Sequence, residues 1–195
     1  MRLLIMGPPG AGKGTQARRV SEHYGIPAIS TGDIFRAMKT SETPLARQLR
    51  AIMESGGLVS DEITNAIVAE RLTQPDCAAG FLLDGYPRTL QQVEALEDFL
   101  ATTGESLDAV ISLQADVDEV VDRLLKRAQI EGREDDTADT IRRRQLIFAQ
   151  ETEPLLEVYR SRGLLVEVDG LGGIEEVSAR LFAALDSRHN ELATQ

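Results

Sequence analysis

The segment GPPGAGKGTQ (7–16) leaves the apolar run RLLIM (2–6) and opens an amphipathic stretch over 13–24. An apolar run without polar alternation predicts a strand buried on both faces, and the 3.6-residue period after it predicts a helix. A glycine-rich turn between strand and helix is where main-chain N–H groups and the helix dipole converge on an anion. Gly10, Gly12 and Gly14 let the backbone wrap a phosphate with no side chain in the way. Gly7 to Gly12 and Lys13 fit the general phosphate-loop spacing G-x-x-x-x-G-K-[ST]. The fit then breaks. Gly14 stands where the hydroxyl belongs, and Thr15 arrives one place late.

Outward from this loop the chain alternates. Apolar runs at 27–30, 80–84, 109–113 and 164–168 read as further strands, and helical patterns fall near 61–73, 89–101, 117–129, 138–161 and 174–186. Such alternation predicts an α/β fold, a five-stranded parallel sheet with helices on both faces. Fifty residues separate Ser30 from Phe81, with helical patterns near 32–39 and 44–54. That is more than a crossover needs, so part of this region is expected to project as a small helical flap. The last residues, 188–195, are expected to fray as a tail.

Composition narrows the field. The chain has 195 residues and a net charge of −11, from 21 basic and 32 acidic residues. An acidic field argues against nonspecific binding of nucleic acid or anionic membrane. No apolar run approaches the length of a membrane span, and no leader pattern opens the chain, so a cytoplasmic protein is expected. One cysteine, Cys77, and two histidines leave no disulfide and no zinc set. Positive charge is nevertheless gathered locally. Between Arg123 and Arg144 stand seven basic residues against five acidic ones.

Three further segments carry chemistry. In ISTGDIFR (29–36), Thr31 or Asp33 is placed to cap a helix, and Arg36 lies in its first turns. In SGGLVSDE (55–62), a double glycine suits a turn between helices, with Ser60 and Asp61 as a cap for the next one. In LLDGYPRTLQQ (82–92), Asp84 ends a buried strand, where a second acidic residue can organise magnesium. Arg88 follows a Tyr86-Pro87 turn and offers a planar fork for phosphate. The Gln92 amide can accept from and donate to adenine. Further on, Arg123 and Arg127 share a helix face at i and i+4. Arg142, Arg143 and Arg144 fan over about 200°, so they cannot all face one site.

GPPGAGKGTQ, with glycine after the lysine, resembles the nucleoside-monophosphate kinases, and the later motifs resemble the adenylate kinases among them. The resemblance runs from residue 1 to about 187, with the motifs in the family's order. It implies a three-layer P-loop NTPase fold with an AMP-binding flap and a short lid. The implied divisions are a core (1–29, 60–126, 134–187), the flap at 30–59, the lid at 127–133 and the tail at 188–195. Only AQIEG lies between Arg127 and Arg133, which resembles the short-lid form without a zinc-binding insert.

The resemblance also implies roles. ATP falls to Gly10, Ala11, Gly12, Lys13, Gly14, Thr15, Arg123, Arg127 and the carbonyl of Gly172 in VDGLGG (168–173). AMP falls to Thr31, Arg36, Gly57, Leu58, Val59, Gly85, Tyr86, Pro87, Arg88, Gln92, Arg133 and Arg144. Thr31 marks adenine, since UMP and CMP kinases tend to carry alanine there. Thr15, and Asp84 through water, would hold magnesium, and no zinc is expected. Asp135 and Asp136 would position the closed lid, with Gly132 as its pivot, while Arg142 and Arg143 face solvent. The implied reaction is ATP + AMP = 2 ADP, reversible and magnesium-dependent, maintaining adenine nucleotide balance. Lys13, Arg88, Arg123, Arg133 and Arg144 would carry it in a monomer. The alternatives are a UMP/CMP kinase, disfavoured by Thr31, or a non-catalytic nucleotide-binding regulator. A regulator would have no use for a second arginine-lined pocket.

Overall fold

The computed structural model describes residues 1–40, 42–115, 120, 124 and 137–193. Five strands, β1 (Arg2–Met6), β2 (Ala28–Ser30), β3 (Phe81–Asp84), β4 (Ala109–Gln114) and β5 (Leu165–Asp169), form one parallel sheet in the order β2-β3-β1-β4-β5. Parallel pairing requires crossovers and buries both faces of the sheet, which is why these strands are apolar without alternation.

Successive side chains of β1 divide the interior. Leu4 and Met6 enter one core with Leu83, Val93 and Tyr159, while Leu3 and Ile5 enter the other with Val20, Ile111 and Leu181. Complete burial of one such side chain contributes about 1.5–3 kcal/mol. The helices supplying these layers are α1 (Lys13–Tyr24), α4 (Asp61–Leu72), α5 (Leu90–Thr102), α7 (Pro154–Ser161) and α8 (Ile174–Ala193). Between β2 and β3 also lie α2 (Thr31–Met38) and α3 (Pro44–Glu54), and α6 (Ala138–Ile147) follows β4. Phe35, Leu49, Met53 and Val59 form a small core of their own over the flap. Val120 and Leu124 are helical and pack on Ile141. The rest of the predicted 117–129 helix and the whole predicted lid lie outside the described residues.

Three expectations are corrected. The single helix predicted over 138–161 is interrupted by a π-helical turn, Phe148–Thr152, in which Glu153 N–H donates to Phe148 O at 2.8 Å. Pro154 stands just after it; it has no N–H to donate and its ring crowds the carbonyl four residues back, so the turn widens. The predicted tail is mostly helix, since α8 runs to Ala193. No glycine or proline interrupts residues 174–193, and Arg188 Nε donates to Asp108 O at 2.8 Å. Lastly, Ser30 caps α2, accepting from Asp33 N–H at 3.2 Å, and neither Thr31 nor Asp33 does so.

Candidate functional site

Strand register brings the motifs together. Ile5 of β1 pairs with Asp84 of β3, and Asp84 pairs with Ser30 of β2. The phosphate loop, the start of α2 and the 84–92 turn therefore leave the carboxyl ends of adjacent strands. The connection leaving β1 runs to β2 on one side and the one leaving β3 runs to β4 on the other, so β1 and β3 flank the switch point where open α/β sheets bind ligands. A cavity of about 920 Å³ opens there. Every predicted site residue that the structure describes lines it. Arg123, Arg127, Gly132, Arg133, Asp135 and Asp136 lie outside the described residues.

At one end the main chain builds the site. Gly12 caps α1 at φ 89° and contributes no side-chain cap, so the first N–H groups of the helix are left for an anion. Gly10 permits a close approach, since a Cβ there would lie 2.8 Å from Val120 Cγ1. Lys13 Nζ donates to the carbonyls of Gly7 at 2.8 Å and Pro8 at 3.0 Å, so it curls over its own loop. The far turn is braced in the same way. Arg180 donates to the carbonyls of Asp169 and Leu171, and Gly172 takes φ 106° beside Glu176.

At the other end side chains hold one another. Thr31, 1% exposed, donates to Gly85 O at 3.0 Å. Arg88 Nε donates to the same carbonyl at 2.8 Å, and the Tyr86–Pro87 peptide is cis. Gln92 Oε1 accepts from Arg88 N–H at 2.7 Å, and its Nε2 donates to Asp61 Oδ1 at 2.7 Å. The expected Ser60–Asp61 cap is not formed, since α4 starts without a side-chain cap bond. The Asp61 carboxylate reaches across to α5, where it also accepts from Thr89 Oγ1 at 3.0 Å. Arg36 pairs with Asp33 on its own helix. Arg144 lines the cavity, while Arg142 and Arg143 are exposed, as the resemblance implies.

Charge converges between the two ends. Burial pushes the Asp84 carboxyl above its usual value, opposed chiefly by Lys13 and Arg88. Burial lowers the Arg88 guanidinium; Asp84 works against that, and Arg144 and Arg36 add to it. Several cations thus face one half-buried carboxylate across a cleft, an arrangement that anionic phosphates relieve. Magnesium fits this donor set. Asp84 Oδ2 lies beside Gly14, 3.6 Å from where a Cβ would stand, and Thr15 follows at once on α1. A carboxylate and a hydroxyl are hard oxygen donors suited to an ion that keeps waters and phosphate oxygens as its remaining ligands. Among the described residues no three His, Cys, Asp or Glu side chains gather as a metal set.

Several supporting residues escape any reading of motifs. Gln145 Nε2 donates to Pro9 O at 3.1 Å, tying α6 to the phosphate loop. Thr152 in the π turn donates to Arg88 O at 3.0 Å. Gln16, 3% exposed, donates to Ile174 O and accepts from Ser178. Asp61 had a signal, since it lies near the Gly57–Val59 segment, but its spacing to Gln92 matches no local rule.

Comparison with known proteins agrees with this geometry. The family model described as Adenylate kinase matches residues 5–164. A protein from Nocardioides sp. (strain ATCC BAA-499 / JS614) bearing the name adenylate kinase is 58% identical over 95% of this chain and 97% of its own. One from Leifsonia xyli subsp. xyli is 57% identical over 95% and 94%. One from Thermobifida fusca is 50% identical over 96% and 100%. With the phosphate loop, the 84–92 turn and Thr31 all opening on one cleft, the chain belongs to the adenylate kinase family.

Proposed function

We propose that the protein transfers the terminal phosphoryl group of ATP to AMP, reversibly, giving two molecules of ADP. The observation that carries this reading is the single cleft with two unlike ends. The phosphate loop stands at one end, Thr31, Arg36, Arg88 and Gln92 at the other, and Lys13, Asp84 and Arg144 lie among them. One nucleotide would need only the first end.

An oxygen of the AMP phosphate attacks the terminal phosphorus of ATP; that O–P bond forms as the bond to the bridging oxygen breaks, and ADP leaves. The attacking oxygen is already anionic, so no side chain has to remove a proton. The chain's contribution is alignment and positive charge. Lys13 and the N–H groups of Gly12 to Thr15 hold the donor phosphates. Arg88, Arg36 and Arg144 hold the acceptor phosphate and neutralise charge on the moving group. Thr31 and Gln92 face the acceptor base, with Gly57 to Val59 covering it. Thr15 and Asp84 would hold magnesium, whose charge offsets that of the triphosphate. The 30–59 flap, with its own small core, closes over the acceptor and keeps water from the phosphoryl group. In this reading the enzyme works as a cytoplasmic monomer on ATP, AMP and ADP.

The test is a coupled assay in which ATP is offered with AMP, UMP, CMP or GMP in turn, with and without magnesium. AMP should be the fastest acceptor and turnover should require the metal. Faster phosphorylation of UMP or CMP would overturn the adenine assignment.

A further inference from the structure

We propose that Asp61 is a positioning residue that sets which purine the acceptor pocket takes, by holding the Gln92 amide in one of its two orientations. The proposal rests on the reading that Gln92 faces the acceptor base.

A glutamine amide can be turned end for end with almost no change of shape, and only its hydrogen-bond partners decide between the two states. Here both partners decide the same way. The Asp61 carboxylate only accepts, so the Nε2 end faces it at 2.7 Å. The Arg88 main-chain N–H only donates, so the Oε1 end faces it at 2.7 Å. Turning the amide over would set oxygen against carboxylate and N–H against N–H in a side chain only 2% exposed. Buried groups left so mismatched are strongly disfavoured. Asp61 is itself held, since its second oxygen accepts from Thr89 Oγ1 at 3.0 Å, and that hydroxyl also caps α5 by accepting from Gln92 N–H.

After these bonds the amide retains one proton on Nε2 and one lone pair on Oε1. A 6-aminopurine offers an amino donor at C6 beside a ring-nitrogen acceptor, and it matches that pair as it stands. A 6-oxopurine offers an oxygen acceptor beside a ring N–H. It would need the amide turned over, which Asp61 and Arg88 N–H forbid. Asp61 touches no substrate in this scheme. It makes the readout single-valued.

The experiment is steady-state kinetics of the full-length enzyme with ATP and either AMP or IMP, beside thermal melting. The variants are Asp61→Ala, Asp61→Asn, Gln92→Ala and the double Asp61→Ala/Gln92→Ala. Asp61→Ala should lower the AMP:IMP ratio of kcat/KM by about tenfold or more. The loss should come mainly through KM for AMP, with kcat for AMP changed by less than about threefold. Asp61→Asn keeps an acceptor oxygen for Nε2 and should recover most of the ratio. In the Gln92→Ala background, Asp61→Ala should move the ratio by less than about twofold.

A ratio that survives Asp61→Ala but collapses in Gln92→Ala overturns the role of Asp61 and leaves Gln92 as the reader of the base. A ratio unmoved by Gln92→Ala removes Gln92 from base reading and overturns the proposal with it. If Asp61→Ala is unfolded at the assay temperature, Asp61→Ser takes its place. Serine suits a helix start but falls short of Gln92, so it must give the same loss.

Discussion

Gly12 and Gly85 share a backbone conformation, φ 89° and φ 83°, yet their surroundings are opposite. A Cβ on Gly12 would meet nothing within 4 Å, whereas one on Gly85 would lie 2.8 Å from Thr31 Oγ1 and 3.0 Å from Arg88 Nη2. The donor end of the cleft is a main-chain cradle left open, with its cation folded on the rim. The acceptor end is a set of side chains packed on one another. Open main chain can accommodate many phosphate esters. In the proposed function, interlocked side chains select one base.

The largest expected effect tests whether the two ends fail differently. Lys13→Met should lower kcat roughly 10³-fold with little change in melting temperature, because the half-buried Lys13 donates to the carbonyls of its own loop, Gly7 and Pro8. Arg88→Lys should lower kcat about 10²-fold and also loosen the acceptor end, because lysine lacks the Nε–H that holds Gly85 O. Equal loss of stability in the two variants would break the contrast.

Next comes the glycine pair. Gly12→Ala should destabilise by about 1 kcal/mol, the strain of a left-handed alanine alone. Gly85→Ala carries that strain plus the collision with Thr31 and should lose about 2–3 kcal/mol. Chemical denaturation of both variants measures the difference, and equal losses would mean that the crowding at Gly85 relaxes freely.

The subtlest test is the pH dependence of Asp84. Burial holds its folded-state value above the usual one. The folded protein therefore binds this proton more tightly than the unfolded chain does. The stability this gives is fully present below the ordinary carboxylate value and is lost as pH rises through the raised one. Asp84→Asn lacks this loss. Its melting temperature, measured without nucleotide, should gain on the parent's as pH rises from 4 to 7. A gap that shrinks over that range would mean that Lys13 and Arg88, and not burial, govern the group.

The same contrast explains how much was legible in advance. The donor end works through main-chain atoms, and glycine spacing around Lys13 is a direct record of backbone shape. Arg88 and Gln92 were legible because they follow a strand-ending aspartate within a few residues. Asp61 was not, because its partner is 31 residues away and only the packing of α4 beside α5 brings them together. Thr152 and Gln145 bond to carbonyls 64 and 136 residues away, and no local period encodes such reach. The π turn leaves no mark on the sequence pattern because helical periodicity persists across it, although Pro154 marks its end. The continuation of α8 is not legible because its polar residues resemble a loop until Arg188 finds Asp108.

One contact joins the end of α3 to the start of α6. Gly56, at φ 72°, lies against the start of α6, where a Cβ would come within 3.0 Å of Thr140 Cγ2, and Thr140 Oγ1 donates to Glu54 O at 3.2 Å. The last turn of the flap thus touches the first turn of the helix that carries Arg144. Any free energy that an acceptor nucleotide stores or releases at this seam is felt by whatever the α6 side binds. Thermodynamic linkage then fixes the return: the factor by which one nucleotide alters the affinity of the other is the same in both directions. Thr140, 6% exposed and outside every motif, is where that cross-talk has a physical address.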